Sequence, residues 1–403
     1  MIIKRDYYLQ QLISSKSNNL IKIVTGIRRS GKSFLLFNLF HNHLIETGIS
    51  EDHIIEIALD DRLNKNLRDP DVILQHIHER IVDDKLYYII LDEVQMIDEF
   101  TDVLNSLLHI RNADVYVTGS NSKFLSKDVV TEFRGRGDEI HLFPLSFAEL
   151  YNSIGGDKFE LWKSYYTYGG LPGILELDSE KKKAAYLRSL HETVYLKDII
   201  ERNNLKNSEE FMELMRVMAS CIGSPCNPSK LENTFKSVKN ETLDRKTISK
   251  YLSYMEDAFL IEKSMRYDIK GRKYIGTLSK YYFQDIGLRN ALLNFRQVEE
   301  NHIMENVIYN ELRLRGFCVD VGMVEARTAK ERKQLEVDFV ANMADRRYYI
   351  QSAFAMPDDD KREQESASLK RIDDSFKKII IMRDDIKPYH DNNGFYIVGL
   401  MDF

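Results

Sequence analysis

The chain has 403 residues and a formal net charge of −6, from 57 basic and 63 acidic side chains. Hydrophobic residues make up 43% and aromatic residues 11% of it, enough to exclude global disorder, and the length predicts two to four domains. Three cysteines without CxxC spacing exclude a disulfide scaffold and a zinc ribbon. No apolar run approaches the ~20 residues that span a bilayer, and the charged start lacks a signal-peptide pattern. We therefore expect a cytoplasmic protein without a membrane partner.

The strongest motif lies near the start of the chain. A β-rich run at 21–25 precedes the segment GIRRSGKS (26–33), and an apolar helical run follows at 34–40. A strand, a GxxxxGK[ST] loop and a helix in this order predict a phosphate-binding P-loop, the Walker A motif. Lys32 is predicted to reach the β- and γ-phosphates and Ser33 to ligate Mg²⁺. The predicted nucleotide contacts are Gly26, Ile27, Arg28, Arg29, Ser30, Gly31, Lys32, Ser33 and Phe34.

A second motif supports the first. The apolar run 86–91 ends in Asp92 and Glu93. Such a run is typical of a central parallel strand, and ligands bind at the carboxyl ends of these strands. As a Walker B motif, Asp92 is predicted to hold Mg²⁺ and Glu93 to polarise the attacking water. The alternative is a solvated acidic pair in a loop.

Two further polar segments are candidates. The strand predicted at 114–121 ends in Ser120 and Asn121, which either contact the γ-phosphate or the water, or simply terminate the strand. Arg134 and Arg136 lie in the segment FRGRG and either stabilise a phosphoryl group, in cis or from a neighbouring subunit, or form a basic turn. With these, the predicted catalytic set is Lys32, Glu93, Asn121 and Arg136.

Six segments occur in order: GIRRSGKS, LDEVQ, TGSNSKFLS, FRGR, FPLSFAEL and YGGLPG. Together they resemble a bacterial and archaeal family of AAA-type ATPases that carry a C-terminal domain of unknown function. The resemblance implies an α/β ATPase core of the additional-strand P-loop class, a polar sensor at 120–121 and the family's arginine at Arg136. It also implies ATP as the nucleotide, and no guanine-reading NKxD motif contradicts this.

The middle of the chain is rich in helical patterns. Helices are predicted at 180–202, 211–222 and 244–260, with a short one after 227, and strands at 262–267 and 280–284. Two helices followed by a hairpin are the order of a winged helix-turn-helix, and the family resemblance agrees. From 263 to 280 six cations face one acid, a local charge of +5 that could contact DNA phosphates. The cations are Lys263, Arg266, Lys270, Arg272, Lys273 and Lys280. An ATPase lid or a protein-docking surface remains the alternative.

The C-terminal part has a predicted α-β-β-β-α-β order that resembles the restriction-endonuclease-like PD-(D/E)xK core. The helices are predicted at 299–315 and 359–376, and the strands at 317–321, 335–341, 348–350 and 378–382. Glu305 and Asp338 match the helical acid and the strand acid of that core, and Gln351 takes the place of the second strand acid. The lysine of the motif is replaced by Ala353, and Lys361 is one candidate to substitute for it. We therefore expect a catalytically inactive domain that serves in interaction or in holding DNA.

These predictions divide the chain into three domains: an AAA-type core at 1–155, a helical lid with a winged helix at 156–290, and a nuclease-like domain at 291–403. The predicted activity is a magnesium-dependent ATPase that couples hydrolysis to conformational change and acts on DNA through the hairpin. Self-association or a protein partner is also compatible with the sequence. The main alternative is a nucleotide-gated DNA- or protein-binding regulator with little turnover, and an active nuclease is a third.

Overall fold

A computed structural model describes residues 3–119, 135–239, 243–327 and 332–403. The chain divides into two compact units. The first comprises the described residues up to Gly155 together with Leu171–Glu176 and Asp257–Phe259, and the second comprises Gly156–Gly170, Leu177–Glu256 and Leu260–Phe403. The division into three domains stays a prediction. Across the described ranges, no helix has the length and apolar character needed to cross a membrane.

The first unit is built on a parallel sheet. Its elements are α1 Asp6–Ser14, β1 Ile21–Thr25, α2 (helical over 32–46), β2 Ile54–Ala58, α3 Pro70–Arg80, β3 Tyr87–Asp92, α4 Phe100–Leu107, β4 Ala113–Thr118, β5 Gly137–His141 and α5 Phe147–Ile154. The strand order is β2-β3-β4-β1-β5, with every pair parallel. Because β4 lies between β1 and β3, the sheet has the additional strand that the family resemblance implies.

The buried sheet explains the apolar runs in the sequence. Every residue of β1 and β3 is buried. Alternate side chains point to opposite faces of a strand, so a strand covered on both faces needs apolar residues at successive positions. One face packs against α3 and α4 through Ile77 and Leu104, and the other packs Tyr116 against Phe40 of α2. The carboxyl ends of the strands are thereby held at one edge of a rigid sheet.

The second unit combines helices with a mixed sheet. Its elements are α6 Lys158–Tyr168, α7 (helical over 180–203), α8 Ser208–Ser220, α9 Pro228–Thr234, α10 Arg245–Asp257, β6 Ile261–Asp268, β7 Lys273–Phe283, α11 Ile286–Leu292, α12 Glu300–Leu314, β8 Cys318–Arg327, β9 Arg332–Met343, β10 Arg346–Ala353, α13 Asp359–Ser366, β11 Lys377–Met382, β12 Tyr389–His390 and β13 Tyr396–Gly399. The eight strands follow the order β12-β13-β11-β10-β9-β8-β6-β7.

The helices and strands predicted at 180–202, 211–222, 244–260 and 299–315, and at 378–382, are confirmed within a few residues. The helix predicted at 359–376 is wrong beyond Ser366. A 3₁₀ turn at Leu369–Arg371 follows it, and the Asp374 carboxylate then accepts the amide of Phe376 at 3.2 Å. Such a side-chain turn competes with helix formation, which explains the early end. The short strands β12 and β13 were not predicted.

The predicted hairpin belongs to the large sheet. Strand β6 pairs with β7 on one side and runs parallel to β8 on the other, with Arg266 opposite Val321. Helix α12 is fastened to β7 because the Asn306 side chain bonds both the amide and the carbonyl of Phe283, at 2.7 and 2.8 Å. The sheet therefore continues across residue 290, the position of a predicted domain boundary.

Candidate functional site

The loop after β1 follows a path that only glycine can take at its first position. Gly26 has φ +139°, and a Cβ placed there would lie 2.2 Å from the carbonyl oxygen of Leu142. The buried Arg5 links the loop to the chain after β5, because its guanidinium donates to the Ser30 carbonyl at 3.2 Å and to the Phe143 carbonyl at 2.8 Å. The same guanidinium pairs with the Glu149 carboxylate at 2.8 Å. The loop is thus anchored at both sides.

The loop residues predicted as nucleotide contacts lie together at the start of α2. Ile27 and Ser30 are buried, Arg29 adopts the left-handed φ of 66°, and Phe34 is 36% exposed. Lys32 is 5% exposed, and its ammonium donates to the carbonyls of Gly26 and Ile27 at 3.0 and 3.1 Å. A bound phosphate would offer this ammonium a charged acceptor, which makes a stronger bond than a carbonyl does.

Asp92 lies at the carboxyl end of β3, next to the loop. Its carboxylate accepts hydrogen bonds from the Ser33 hydroxyl, at 2.7 Å, and from the Thr118 hydroxyl at the end of β4. Burial raises the pKa of Asp92 above its usual value, and these two hydroxyls offset part of that rise. The structure therefore joins Ser33 and Asp92, the two predicted magnesium ligands.

Glu93 follows in a strained conformation. Its φ of 54° is left-handed, a costly region for a non-glycine residue that structures retain mostly at functional sites. Its amide donates to the Thr118 hydroxyl at 2.8 Å, and its carboxylate accepts from the Gln95 side chain. The Thr118 hydroxyl thus connects both acidic residues.

The sequence patterns do not indicate Thr118 and Arg5. Thr118 precedes the predicted tip at 120–121 by two residues, and only the parallel pairing of β3 with β4 brings it to Asp92. The signal in the sequence is a hydroxyl directly after the run Val-Tyr-Val at 115–117. The predicted residues Ser120, Asn121 and Arg134 lie outside the described residues, so their roles stay predictions.

Arg136 lies at the opposite edge of the sheet from the loop. It directly precedes β5, its carbonyl accepts the amide of Ile21 at the start of β1, and its side chain donates to Asn105 at 3.1 Å. Strand β1 rises about 13 Å from its first to its last residue. Arg136 is therefore too far from the loop to act in cis, and we correct the prediction to that extent. A role toward a neighbouring subunit stays a prediction.

The second unit holds a buried lysine among carboxylates. Lys280 of β7 is 2% exposed, and its ammonium lies 2.8 Å from Glu305, 2.8 Å from Glu336 and 3.7 Å from Asp338. The Tyr282 hydroxyl also donates to Glu305, at 2.7 Å. We call these five residues the lysine–carboxylate cluster. The structure thus brings the predicted Glu305 and Asp338 together, around a lysine that is predicted from the sequence to lie on the hairpin surface.

Charge repulsion and burial shape this cluster. Burial raises the pKa of Asp338 to about 7, with Glu305 adding to the rise and Lys280 opposing it. The neighbouring carboxylates raise the pKa of Lys280 against the effect of burial, so the ammonium stays charged. Gln351, the third predicted position, has a buried side-chain oxygen without a hydrogen-bond partner in the described ranges. Lys361, the suggested substitute lysine, pairs instead with Glu365 at 2.7 Å on α13.

Two of the six hairpin cations are buried, which corrects the predicted +5 surface. Lys280 lies in the lysine–carboxylate cluster, and Arg266 is 8% exposed, with its guanidinium against Met323 and Gln334. Alternation along β6 and β7 turns these side chains inward. The exposed cations that remain are Lys263, Lys270, Arg272 and Lys273.

The parallel sheet, the anchored loop after β1 and the acidic pair after β3 define a P-loop nucleoside triphosphatase fold with an additional strand. Residues 18–151 match the AAA domain family, and residues 159–299 match a domain of unknown function (DUF8612). The chain belongs to the same family as an uncharacterized protein of Haemophilus influenzae, with 34% identity over 387 residues that cover 94% of this chain and 93% of that protein. An uncharacterized protein of Methanocaldococcus jannaschii is 29% identical over 93% of this chain and 82% of its own length.

Solved structures also resemble the chain, at low scores. Cdc6p from Pyrobaculum aerophilum is 13% identical, with a TM-score of 0.32, and covers 76% of this chain and 96% of its own. The Orc1 protein of Aeropyrum pernix in complex with DNA is 12% identical, with a TM-score of 0.30, and covers 72% and 92%. TM-scores this low carry no inference about ligands. The AAA-type domain predicted from the motifs is confirmed by the family match, and the winged-helix and nuclease-like assignments stay predictions.

Proposed function

We propose that the first unit binds ATP and hydrolyses it with the help of Mg²⁺. The observation that carries this proposal is the contact of Ser33 and Thr118 with Asp92, with the Glu93 amide bonded to the same threonine. A chance glycine turn would not require three side chains and a backbone amide to converge beside it. The family match to an AAA domain supports the same activity.

The side chains suit a magnesium ion at this position. Hydroxyl and carboxylate oxygens are the ligands that Mg²⁺ prefers, and Ser33 Oγ and Asp92 Oδ2 already lie 2.7 Å apart. Burial disfavours the ionised form of Asp92, and a cation beside it would favour that form. When bound, the ion would neutralise charge on the phosphates.

The chain's own residues supply the other roles. The Lys32 ammonium exchanges its two loop carbonyls for phosphate oxygens, while the loop amides and the start of α2 face the phosphates. Glu93, fixed through its own amide and through Gln95, orients the attacking water and accepts its proton. The nucleotide is then held by the loop and the reacting water by the end of β3.

The test is steady-state phosphate release together with binding of a fluorescent ATP analogue. Lys32→Ala should lose nucleotide binding, whereas Glu93→Gln should bind ATP but release phosphate at least ~100-fold more slowly. Glu79→Gln, on the exposed side of α3, is the matched control and should behave like the unaltered chain. If the unaltered chain binds ATP without measurable turnover, a nucleotide-gated regulator replaces the ATPase proposal.

We further propose that the hairpin contacts nucleic acid through its four exposed cations, Lys263, Lys270, Arg272 and Lys273. Phosphate contacts depend on local positive charge, so the overall net charge of −6 does not oppose them. The order α9, α10 and hairpin supports the winged-helix interpretation. DNA that binds equally well after alanine replaces all four cations would favour a protein-docking surface instead.

We propose that the nuclease-like part does not cleave DNA, for a different reason than the sequence suggested. An ammonium is present after all, but Lys280 ties up the carboxylates that would have to hold a metal ion. The remaining oxygen of Asp338 accepts the Ser352 amide at 2.8 Å. Incubation of plasmid DNA with Mg²⁺ tests this, and cleavage that disappears in Asp338→Ala would overturn the proposal.

A further inference from the structure

A cavity of about 540 Å³ lies in the second unit beside the turn of the hairpin. Its floor is apolar and buried, formed by Ile269, Val324 and Ile372. Cavities of roughly 300–1,000 Å³ accommodate ligands of the size of a nucleotide. No residue of this cavity belongs to the ATP site or to the lysine–carboxylate cluster.

The walls of the cavity carry flat, stacking groups. The Arg347 guanidinium lies 5.2 Å from the ring centre of Phe376 and 5.8 Å from that of Tyr267. Its Nε donates to the Asn342 side chain at 2.7 Å, which fixes the plane of the guanidinium. Phe376 is 39% exposed although it is aromatic. Aromatic faces and arginine planes are the surfaces on which unpaired bases stack.

The rim of the cavity is cationic. Lys270 and Arg272 from the hairpin turn and Arg371 from the 3₁₀ turn are exposed, and within the described ranges none of the three has an ion-pair or hydrogen-bond partner for its charged group. Two carboxylates also line the cavity. Asp374 is engaged by the Tyr349 hydroxyl at 2.7 Å, while Asp373 is exposed. With Arg347, four cations therefore outnumber two anions at this site.

We propose that this cavity binds one nucleotide unit of a single-stranded nucleic acid, with the base against Phe376 and Arg347 and the flanking phosphates on the rim. The proposal rests on the hairpin contact with nucleic acid proposed above. It narrows that contact to an unpaired strand and, among the hairpin cations, to Lys270 and Arg272. A duplex hides the faces of its bases, and an acidic peptide would match the cations but would not use the apolar floor. Both are outcomes of the test.

The test is fluorescence anisotropy of the full chain with a labelled 15-nucleotide thymidine strand, compared with a duplex of the same length. We expect the single strand to bind at least tenfold more tightly. Phe376→Leu, which keeps an apolar side chain without a ring, should weaken strand binding about tenfold, since stacking contributes strongly for each base. Phe376→Tyr keeps the ring and should bind like the unaltered chain. Thermal unfolding of both variants shows whether they are folded.

Three controls separate this proposal from the others. Lys263→Ala removes a hairpin cation outside the cavity and should cost less affinity than Arg272→Ala; equal losses would indicate a diffuse electrostatic surface and overturn the proposal. Equal affinity for duplex and single strand would also overturn the proposal. So would a competition experiment in which polyglutamate or free thymidine monophosphate displaces the labelled strand as effectively as unlabelled strand does. Lys32→Ala should retain strand binding, because Lys32 lies outside the cavity. Equal affinity for strand and duplex that is lost when alanine replaces all four hairpin cations would overturn the cavity proposal and leave the hairpin contact standing.

Discussion

Thr118 is a single hydroxyl on which the geometry of both acidic residues depends. It donates to Asp92 and accepts the amide of Glu93 at 2.8 Å, in a fully buried position. Replacement by valine keeps the shape of the side chain and removes both bonds. A lost hydrogen bond to a buried charged group costs about 1.5–3 kcal/mol. Because these bonds hold Asp92 and Glu93 in place for the reaction, the same energy lost from the transition state lowers the rate about tenfold or more.

We therefore predict that Thr118→Val lowers the rate of phosphate release at least tenfold and leaves ATP binding nearly unchanged. The substitution removes one of the two hydroxyls that lower the pKa of Asp92, so this pKa rises. The acid limb of the pH–rate profile should therefore also move to higher pH. Thr118→Ser, which retains the hydroxyl, is the matched control. A valine variant with the turnover and pH profile of the unaltered chain would show that Thr118 only fills space.

Asp338 makes the free energy of unfolding of the second unit depend on pH. A carboxyl with a pKa of about 7 in the folded chain and near 4 when unfolded is protonated preferentially in the folded state. The free energy of unfolding therefore falls as the pH rises from about 4 to about 7, and is level above that. The charged groups that face Asp338 are Lys280, Glu305 and Glu336.

Asp338→Asn should remove this dependence, since asparagine does not ionise. We predict that the melting temperature of the variant, relative to the unaltered chain, rises steadily between pH 5 and pH 7 and stays constant up to pH 8. Asp359→Asn, at a fully exposed carboxylate, is the control and should show a constant difference. A constant difference for Asp338→Asn as well would mean that Asp338 is ionised throughout.

At the scale of elements, the turn from β1 into the loop depends on one backbone conformation. In Gly26→Ala the alanine would be strained at φ +139°, and its Cβ would lie 2.2 Å from the carbonyl oxygen of Leu142. Gly48 has φ +90° and open space where a Cβ would be. Gly48→Ala should thus cost about 1 kcal/mol of unfolding free energy from backbone strain alone. We predict that Gly26→Ala costs at least ~2 kcal/mol more. Chemical unfolding measures both, and equal costs would mean that β5 and its neighbouring loop move aside freely.

The sequence predicted those elements whose signals are contiguous. The P-loop and the Asp92–Glu93 pair could be recognised because strand, loop and helix residues follow one another along the chain. The lysine–carboxylate cluster could not, because Lys280, Glu305 and Asp338 come from three elements that only the sheet and α12 bring together. Charge counting placed Lys280 on a surface, although alternation along β7 faces it inward together with Tyr282. The predicted helix at 359–376 is longer than α13 because the residues of α13 are almost all charged or polar. They form no apolar stripe whose last member would mark the end of the helix.

At the scale of the whole molecule, net charge describes neither unit well. The chain carries −6 overall, yet the cavity beside the hairpin has a rim of three cations without partners in the described ranges. Conversely, part of the basic charge is neutralised internally, as with Lys22, which is wholly buried and paired with Asp114. The binding of a charged partner therefore depends on where the charges lie rather than on the net charge of the chain. The salt dependence of binding measures how many of these charges the partner contacts.

The number of cations that contact a strand fixes the salt dependence of its binding. Each phosphate neutralised by a lysine or arginine on a single strand contributes about −0.7 to the slope of log K against log salt concentration. With Lys270, Arg272 and Arg371 in contact, we predict a slope of about −2, from anisotropy titrations between 50 and 200 mM salt. Arg371→Gln should make the slope less negative by about 0.7, whereas Lys263→Ala, outside the cavity, should leave it unchanged. Equal changes for both variants would place the strand along the hairpin rather than in the cavity, because the slope counts only the cations that the phosphates reach.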